Sequence, residues 1–402
     1  MIYHHKKPLI NAFQKLTDIK LNDNIEQSLQ QSFELQNILI RRIISIEKRL
    51  TANNQVIKDL RAQIHQSDHR DERIAKGMQI SHLRDINREY KQLLNIYRTV
   101  GDGLAILYFG KSDIKALTSK QSSGFLSGEK GLKRELLVLS EFYKKKIPSV
   151  LNDITNCLRY GDITAPHPLG CFPLLVEVKG GVVTSRSLRQ LDNMIHMAKY
   201  LEANETDSLY GLGPVKRLRT ESPGIYHTNE INESIELAIV NGYSLRRIEH
   251  GLVYFVMHRP KYHDIDTTVL AELKKPVACI IDSLKCPKGY LPFTLSIDSP
   301  ERLYDFYLGR LLVTIIVDIQ VLIDNLNRFD LVTEYKSGPY PLNIRRVDIS
   351  DKYGVLSISD YYLKRLFFEF QSLESFAEGI KELYLKAQQA IATHNGIDYT
   401  GA

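Results

Sequence analysis

Apolar residues recur at alternating spacings of four and three at Leu39, Ile43, Ile46, Leu50, Ile57, Leu60 and Ile64, with Asn53 as one polar position inside the run. A second series follows at Leu83, Ile86, Tyr90, Leu93, Tyr97 and Val100. Such a seam keeps one face of a helix apolar over many turns. The polar stretch 65–73 between the two series reads as a turn or as an exposed part of one continuous helix, and a helical hairpin is the expectation adopted. Heptads with one polar core position also specify partners. The expectation is therefore a coiled-coil arm over residues 1–122 that either packs on itself, forms a homodimer or docks a partner subunit.

Beyond residue 122 the texture changes. Leu132, Leu136, Leu139, Phe142 and Tyr143 share one stripe of a helix over 131–146. A Gly-Asp-Ile segment at 161–163 and the apolar run Phe172 to Val176, separated by Pro166, Pro168 and Gly170, read as neighbouring strands. Thr184 or Ser185 can cap a helix running to about Leu201, with Leu188, Leu191, Ile195 and Ala198 facing inward. Further β-like runs at 235–240, 252–257, 277–281 and 293–297 would extend the same sheet. From 300 onward the chain reads as a long helix (303–326), two short strands (331–335 and 344–349) and a terminal helix (360–393). The expected class is α/β (α+β). It divides into an arm (1–122), a central domain with a mixed sheet flanked by helices (123–299) and a mainly helical C-terminal region with two short strands (300–402).

The candidate chemistry lies where the two central strands end, at Asp162, Glu177 and Lys179. Positions two apart on a strand share a face, so Glu177 and Lys179 emerge together while Val176 and Val178 point the other way. Hydrolysis of a phosphodiester needs a divalent metal, and Mg²⁺ prefers one or two carboxylates plus waters. Glu-x-Lys occurs four times, at Glu89, Glu177, Glu272 and Glu334, but only the second follows an apolar run preceded by turn residues and an acidic strand end.

At these positions the chain resembles the PD-(D/E)xK nuclease superfamily, whose signature is an Asp at the end of one strand and Glu-x-Lys on the next. The resemblance covers roughly residues 129–203. It implies a restriction-endonuclease-like fold and a Mg²⁺- (or Mn²⁺-) dependent endonuclease, with DNA as the expected substrate. The metal would be held by Asp162, Glu177 and the Val178 carbonyl, with Lys179 near the attacking water. Members often carry a further Glu on the helix ahead of the first strand, which here points to Glu135; Arg186, Arg189 and Gln190 on the following helix are placed to contact phosphate. The family pattern often has Pro beside the first Asp, whereas Tyr160-Gly161 stands here. By analogy alone, a multidomain nuclease with a helical arm suggests bacterial or phage defence. The alternatives are a nucleic-acid-binding protein with an inactive nuclease fold, and a coiled-coil scaffold in which Asp162 and Glu177 are incidental.

Composition narrows this only slightly. The 402 residues are 43% hydrophobic and 25% charged with a net charge of +6, a mild basic excess that suits a polyanionic partner without requiring one. Cys157, Cys171, Cys279 and Cys286 show no Cys-x-x-Cys pairing, and His250, His258 and His263 lack a metal-binding helical spacing. The N-terminal residues lack a signal-peptide core, and the apolar run 311–317 is too short to cross a bilayer. A cytoplasmic protein with no membrane partner is expected.

Overall fold

The computed structural model describes residues 2–118, 124–127, 131–167, 172–178, 185–209, 211, 213–258, 265–283, 290–346 and 355–394. The chain divides into two compact units, residues 1–203 with 287–307, and residues 204–286 with 308–402. That partition differs from the three expected segments, because the arm and the central strands share one unit.

The first unit begins with α1 (Lys6–Leu21), α2 (Ile25–Gln66) and α3 (Arg70–Phe109). Asn24 caps α2, accepting the Gln27 N–H at 3.2 Å, and the polar stretch between the seams breaks the helix only at 67–69. The two seams meet each other. Leu39, Ile43, Ile46 and Leu50 on α2 and Leu93, Tyr97 and Val100 on α3 are no more than 2% exposed. The polar position is satisfied across the hairpin: Asn53 Nδ2 donates to Asn87 Oδ1 at 2.8 Å, and Asn87 Nδ2 donates to Asn54 Oδ1 at 3.0 Å. Another register would leave the buried Asn87 amide without these partners, so the bridge favours this pairing of the helices. The seam therefore packs the chain on itself.

After α4 (Lys111–Leu117) come α5 (Leu132–Lys144), β1 (Val150–Leu151), β2 (Ile163–Pro166), β3 (Pro173–Val176) and α6 (Ser185–Ala203). The three strands form an antiparallel sheet in the order β1-β2-β3, with Leu151 opposite Ile163 and Ile163 opposite Val176. Beside β1, the buried Gln36 of α2 accepts the Leu151 N–H at 2.9 Å and donates to the Ser149 carbonyl at 2.8 Å. One side-chain amide thereby does for this edge what a further strand would do.

In the second unit a two-stranded ribbon, β4 (Glu205–Thr206) and β5 (Val215–Lys216), precedes α7 (Thr228–Asn241). Then come β6 (Tyr243–Glu249), β7 (Leu252–His258), β8 (Pro276–Ile281) and β9 (Leu311–Asp318), ordered β6-β7-β9-β8. The β-like runs at 252–257 and 277–281 are thus strands, but in a sheet of their own and not an extension of β1–β3. Every described strand pair is antiparallel, in place of the expected mixed sheet.

Three further expectations are corrected. The run 235–240 belongs to α7, where Ile231, Ile235 and Ala238 are buried at helical spacing and Val240 is exposed. The run 293–297 is mostly the short helix Phe293–Ser296. The long helix expected over 303–326 is instead the helix Pro300–Tyr307, strand β9 and the helix Ile319–Asn327, with Gly309 at φ +67 turning the chain between the first two. Near the C-terminus β10 (Leu331–Tyr335), β11 (Leu342–Arg346) and β12 (Leu356–Ile358) make a further, three-stranded antiparallel sheet of this unit. The expected terminal helix is interrupted around Phe370 (φ +56), and its long segment is Leu373–His394. Among the described residues no helix is long and apolar enough to cross a membrane.

Candidate functional site

The pairing of β2 with β3 brings Asp162 and Glu177 to one end of the sheet. Ile163 is paired with Val176, and Asp162 and Glu177 are the residues that adjoin this pair, one on each segment. Both are half-buried. The Asp162 N–H donates to the Val176 carbonyl at 2.8 Å, and its Oδ2 accepts the Val178 N–H at 2.6 Å. The carboxylate thus fastens the chain immediately beyond Glu177, and Asp162 has a structural role as well as a place in the motif.

Gly161 occupies the position where the family often has Pro. Its φ is +74, and a Cβ there would lie 2.7 Å from the Val176 carbonyl oxygen. Only glycine tolerates both the torsion and the approach of β3.

The loop ahead of β2 is held from within and from the hairpin. Asn152, 2% exposed, donates from Nδ2 to the carbonyls of Tyr160 (2.8 Å) and Gly161 (2.9 Å) and accepts the Thr164 hydroxyl at 2.8 Å. Its N–H donates to the Asp162 carbonyl at 2.9 Å. From α3, Asp102 accepts the N–H groups of Asn156 (2.6 Å) and Cys157 (3.0 Å) and the Asn156 side-chain amide (3.0 Å). Burial pushes the Asp102 carboxyl above its ordinary range, although these donors pull it down.

Arg98, also on α3, donates from Nη2 to Glu47 Oε1 at 3.1 Å and to the Gly124 carbonyl at 2.9 Å, and from Nε to the Asp153 carbonyl at 3.2 Å. The Glu47 side chain, on α2, is wholly buried and also accepts the Ser127 N–H at 2.7 Å. Burial raises its pKa against the pull of Ser127 and Arg98. Arg159 donates to the carbonyls of Asn156, at 3.1 Å, and Thr155. At Gly101 the helix touches the loop so closely that a Cβ would come within 2.2 Å of the Ile154 carbonyl oxygen. The helical hairpin is therefore the mount on which the loop leading to Asp162 is fixed.

The remaining candidates are placed unevenly. Glu135, in the first turn of α5, is only 5% exposed. Among the described residues no three His, Cys, Asp or Glu side chains gather as they would around a metal ion, so Glu135 is not joined to Asp162 and Glu177 in such a group. Arg189 and Gln190 are exposed on α6, while Lys179 and the side chain of Arg186 lie outside the described residues. The inward face expected for α6 is also corrected. Leu188, Leu191 and Ile195 are 55%, 38% and 44% exposed, and the buried residues are Met197, Tyr200 and Leu201.

As a donor set, two carboxylates at one end of a sheet suit Mg²⁺, which takes hard oxygen ligands and completes its octahedron with water. Asp162 can serve while accepting the Val178 N–H, because a carboxylate offers about four lone-pair sites. No family model matches this chain, and neither a curated protein nor a solved structure matches it.

Proposed function

We propose that this chain is a Mg²⁺-dependent nuclease that hydrolyses phosphodiester bonds in DNA, with a PD-(D/E)xK site at Asp162, Glu177 and Lys179 on a restriction-endonuclease-like core. The observation that carries this reading is that Asp162 and Glu177 adjoin the Ile163–Val176 pair at one end of the sheet, with Lys179 two positions after Glu177 in the sequence. The succession of α5, three antiparallel strands and α6 supports it. The carboxylates of Asp162 and Glu177 would hold the metal, which when bound supplies charge stabilisation and a more acidic water. Asp162, through its bond to Val178, sets where the Glu177 strand end stands. By its place in the motif, Lys179 is assigned the cation that would offset negative charge developing on phosphate.

Incubation of supercoiled plasmid and of single-stranded DNA and RNA with Mg²⁺ or Mn²⁺ tests this. The intact chain should cut DNA only with metal, and Glu177→Gln should lower the rate at least 100-fold without changing the thermal midpoint. Absence of cutting on every substrate with both metals would overturn the reading.

A further inference from the structure

The hairpin leaves a groove of about 480 Å³ between its helices, walled by Lys58 and Arg61 from α2 and by Arg84, Arg88 and Lys91 from α3. The spacings, three on one helix and four then three on the other, place each set on a single helix face, so the two rows look into the same space. Beneath them Ile57 belongs to the apolar cluster with Leu60 and Ile80, while Asn54 and Asn87 of the amide bridge also line the groove.

Five cations around one cavity repel each other, and nothing in the packing of the hairpin needs them there. Among the described residues no carboxylate lines the groove. Arg88 has Asp85 at 3.2 Å, but the two side chains are 73% and 59% exposed, and such a pair contributes little. The groove is thus a concentration of positive charge, which attracts phosphate. No aromatic side chain lines it among the described residues, so it offers no aromatic face on which a base could stack. From Arg84 to Lys91 the helix advances roughly 10 Å at about 1.5 Å per residue. That accommodates about three phosphates at roughly 3.4 Å of rise per strand position.

We infer that this groove is a second nucleic-acid site, which takes two or three consecutive phosphates of a strand without reading its sequence. It stands on elements other than the β2–β3 end, and it binds whether or not the Asp162–Glu177 site cuts.

Binding of fluorescent 20-nucleotide single- and double-stranded DNA to the full chain, followed by anisotropy in EDTA over a range of salt, tests the inference. Lys58→Gln with Arg84→Gln should weaken binding at least tenfold and reduce the single-strand salt slope by about 1.4, or roughly 0.7 for each phosphate that is no longer neutralised. The control pair Lys7→Gln with Lys274→Gln, both exposed, should change neither. Because the groove side chains are exposed, the thermal midpoint should be unaffected. Equal affinity and slope in the groove variant would overturn the inference, as would an equal loss in the control. Displacement of the oligonucleotide by inorganic triphosphate at comparable concentration would also overturn it, by showing a site for small polyphosphates. Glu177→Gln should bind as the intact chain does, so failure of cutting and failure of the groove appear in separate readouts.

Discussion

At Gly161 the backbone lies in the left-handed region, and β3 passes so close that an added methyl would meet the Val176 carbonyl. Gly161→Ala combines torsional strain with a collision at the residue next to Asp162. We expect it to cost about 1–3 kcal/mol in urea unfolding and to lower metal-dependent cutting further than that loss explains. Asp162→Asn keeps an oxygen able to accept the Val178 N–H, whereas Asp162→Ala removes it. If the carboxylate both ligates and fastens, the Asn variant loses cutting but keeps the intact chain's thermal midpoint, while the Ala variant loses both. In the second unit His227 lies between Glu249 (3.2 Å) and Glu230 (3.4 Å), and its hydrogen bond with Glu249 raises its pKa above 6.5. Burial would raise the Glu249 carboxyl, but bonds from His227, Leu373 and Ser372 outweigh it and hold Glu249 below 4.5. The His227 contribution is complete below pH 6.5 and lost as pH rises through its raised pKa. That of Glu249 is present above 4.5 and lost on acidification. His227→Gln should therefore destabilise the protein more at pH 6 than at pH 9. An imidazole proton-NMR titration with its midpoint at or below 6.5 would contradict this.

Among the elements, the contact of α2 and α3 with the loop ahead of β2 depends on charges withdrawn from water. Arg98→Met would leave the wholly buried Glu47 without its cation, and a broken buried pair typically costs about 3–5 kcal/mol. Glu47→Gln added to Arg98→Met should restore part of that in denaturant unfolding, because Gln keeps an acceptor for the Ser127 N–H and carries no charge. This clamp had no signature in the sequence. Arg98 and Glu47 are 51 residues apart, and Gln36 and Leu151 are 115 apart, and neither separation leaves a local pattern. The seams were legible because each helix of the hairpin is apolar on one face and wet on the other, which writes a period near 3.6 into the sequence. Strand β9 was not legible. Seven of its eight residues are buried, so Leu311 to Val317 carries no alternation, and a continuous apolar run reads equally as helix. The acidic pair was legible from turn chemistry and spacing, but the torsion at Gly161 and the bond from Val178 to Asp162 needed coordinates.

For the whole molecule, the consequence is that the arm and the strand pair form one folding unit. A boundary at residue 122 looked natural because it falls in the polar run 119–124, beyond the last heptad position at Val100. The compact unit nevertheless runs from residue 1 to 203 and takes in 287–307 as well. Its strands are short, with two residues in β1 and four each in β2 and β3, and so small a sheet is not stable alone. Gln36, Glu47, Arg98 and Asp102 supply partners for residues 124–157 that no group beyond residue 122 replaces among the described residues. A chain of residues 123–402 would lose those partners and also the cover over Val150, Leu151 and Ile154, which are wholly buried and would be returned to water. We therefore expect 123–402 to lose protection of the Leu151 and Cys157 amides in hydrogen exchange while the β7 and β9 amides of the second unit stay protected. Retained protection at Leu151 and Cys157 in that fragment would show that the strand pair stands without the hairpin, and would restore the arm as a separate domain.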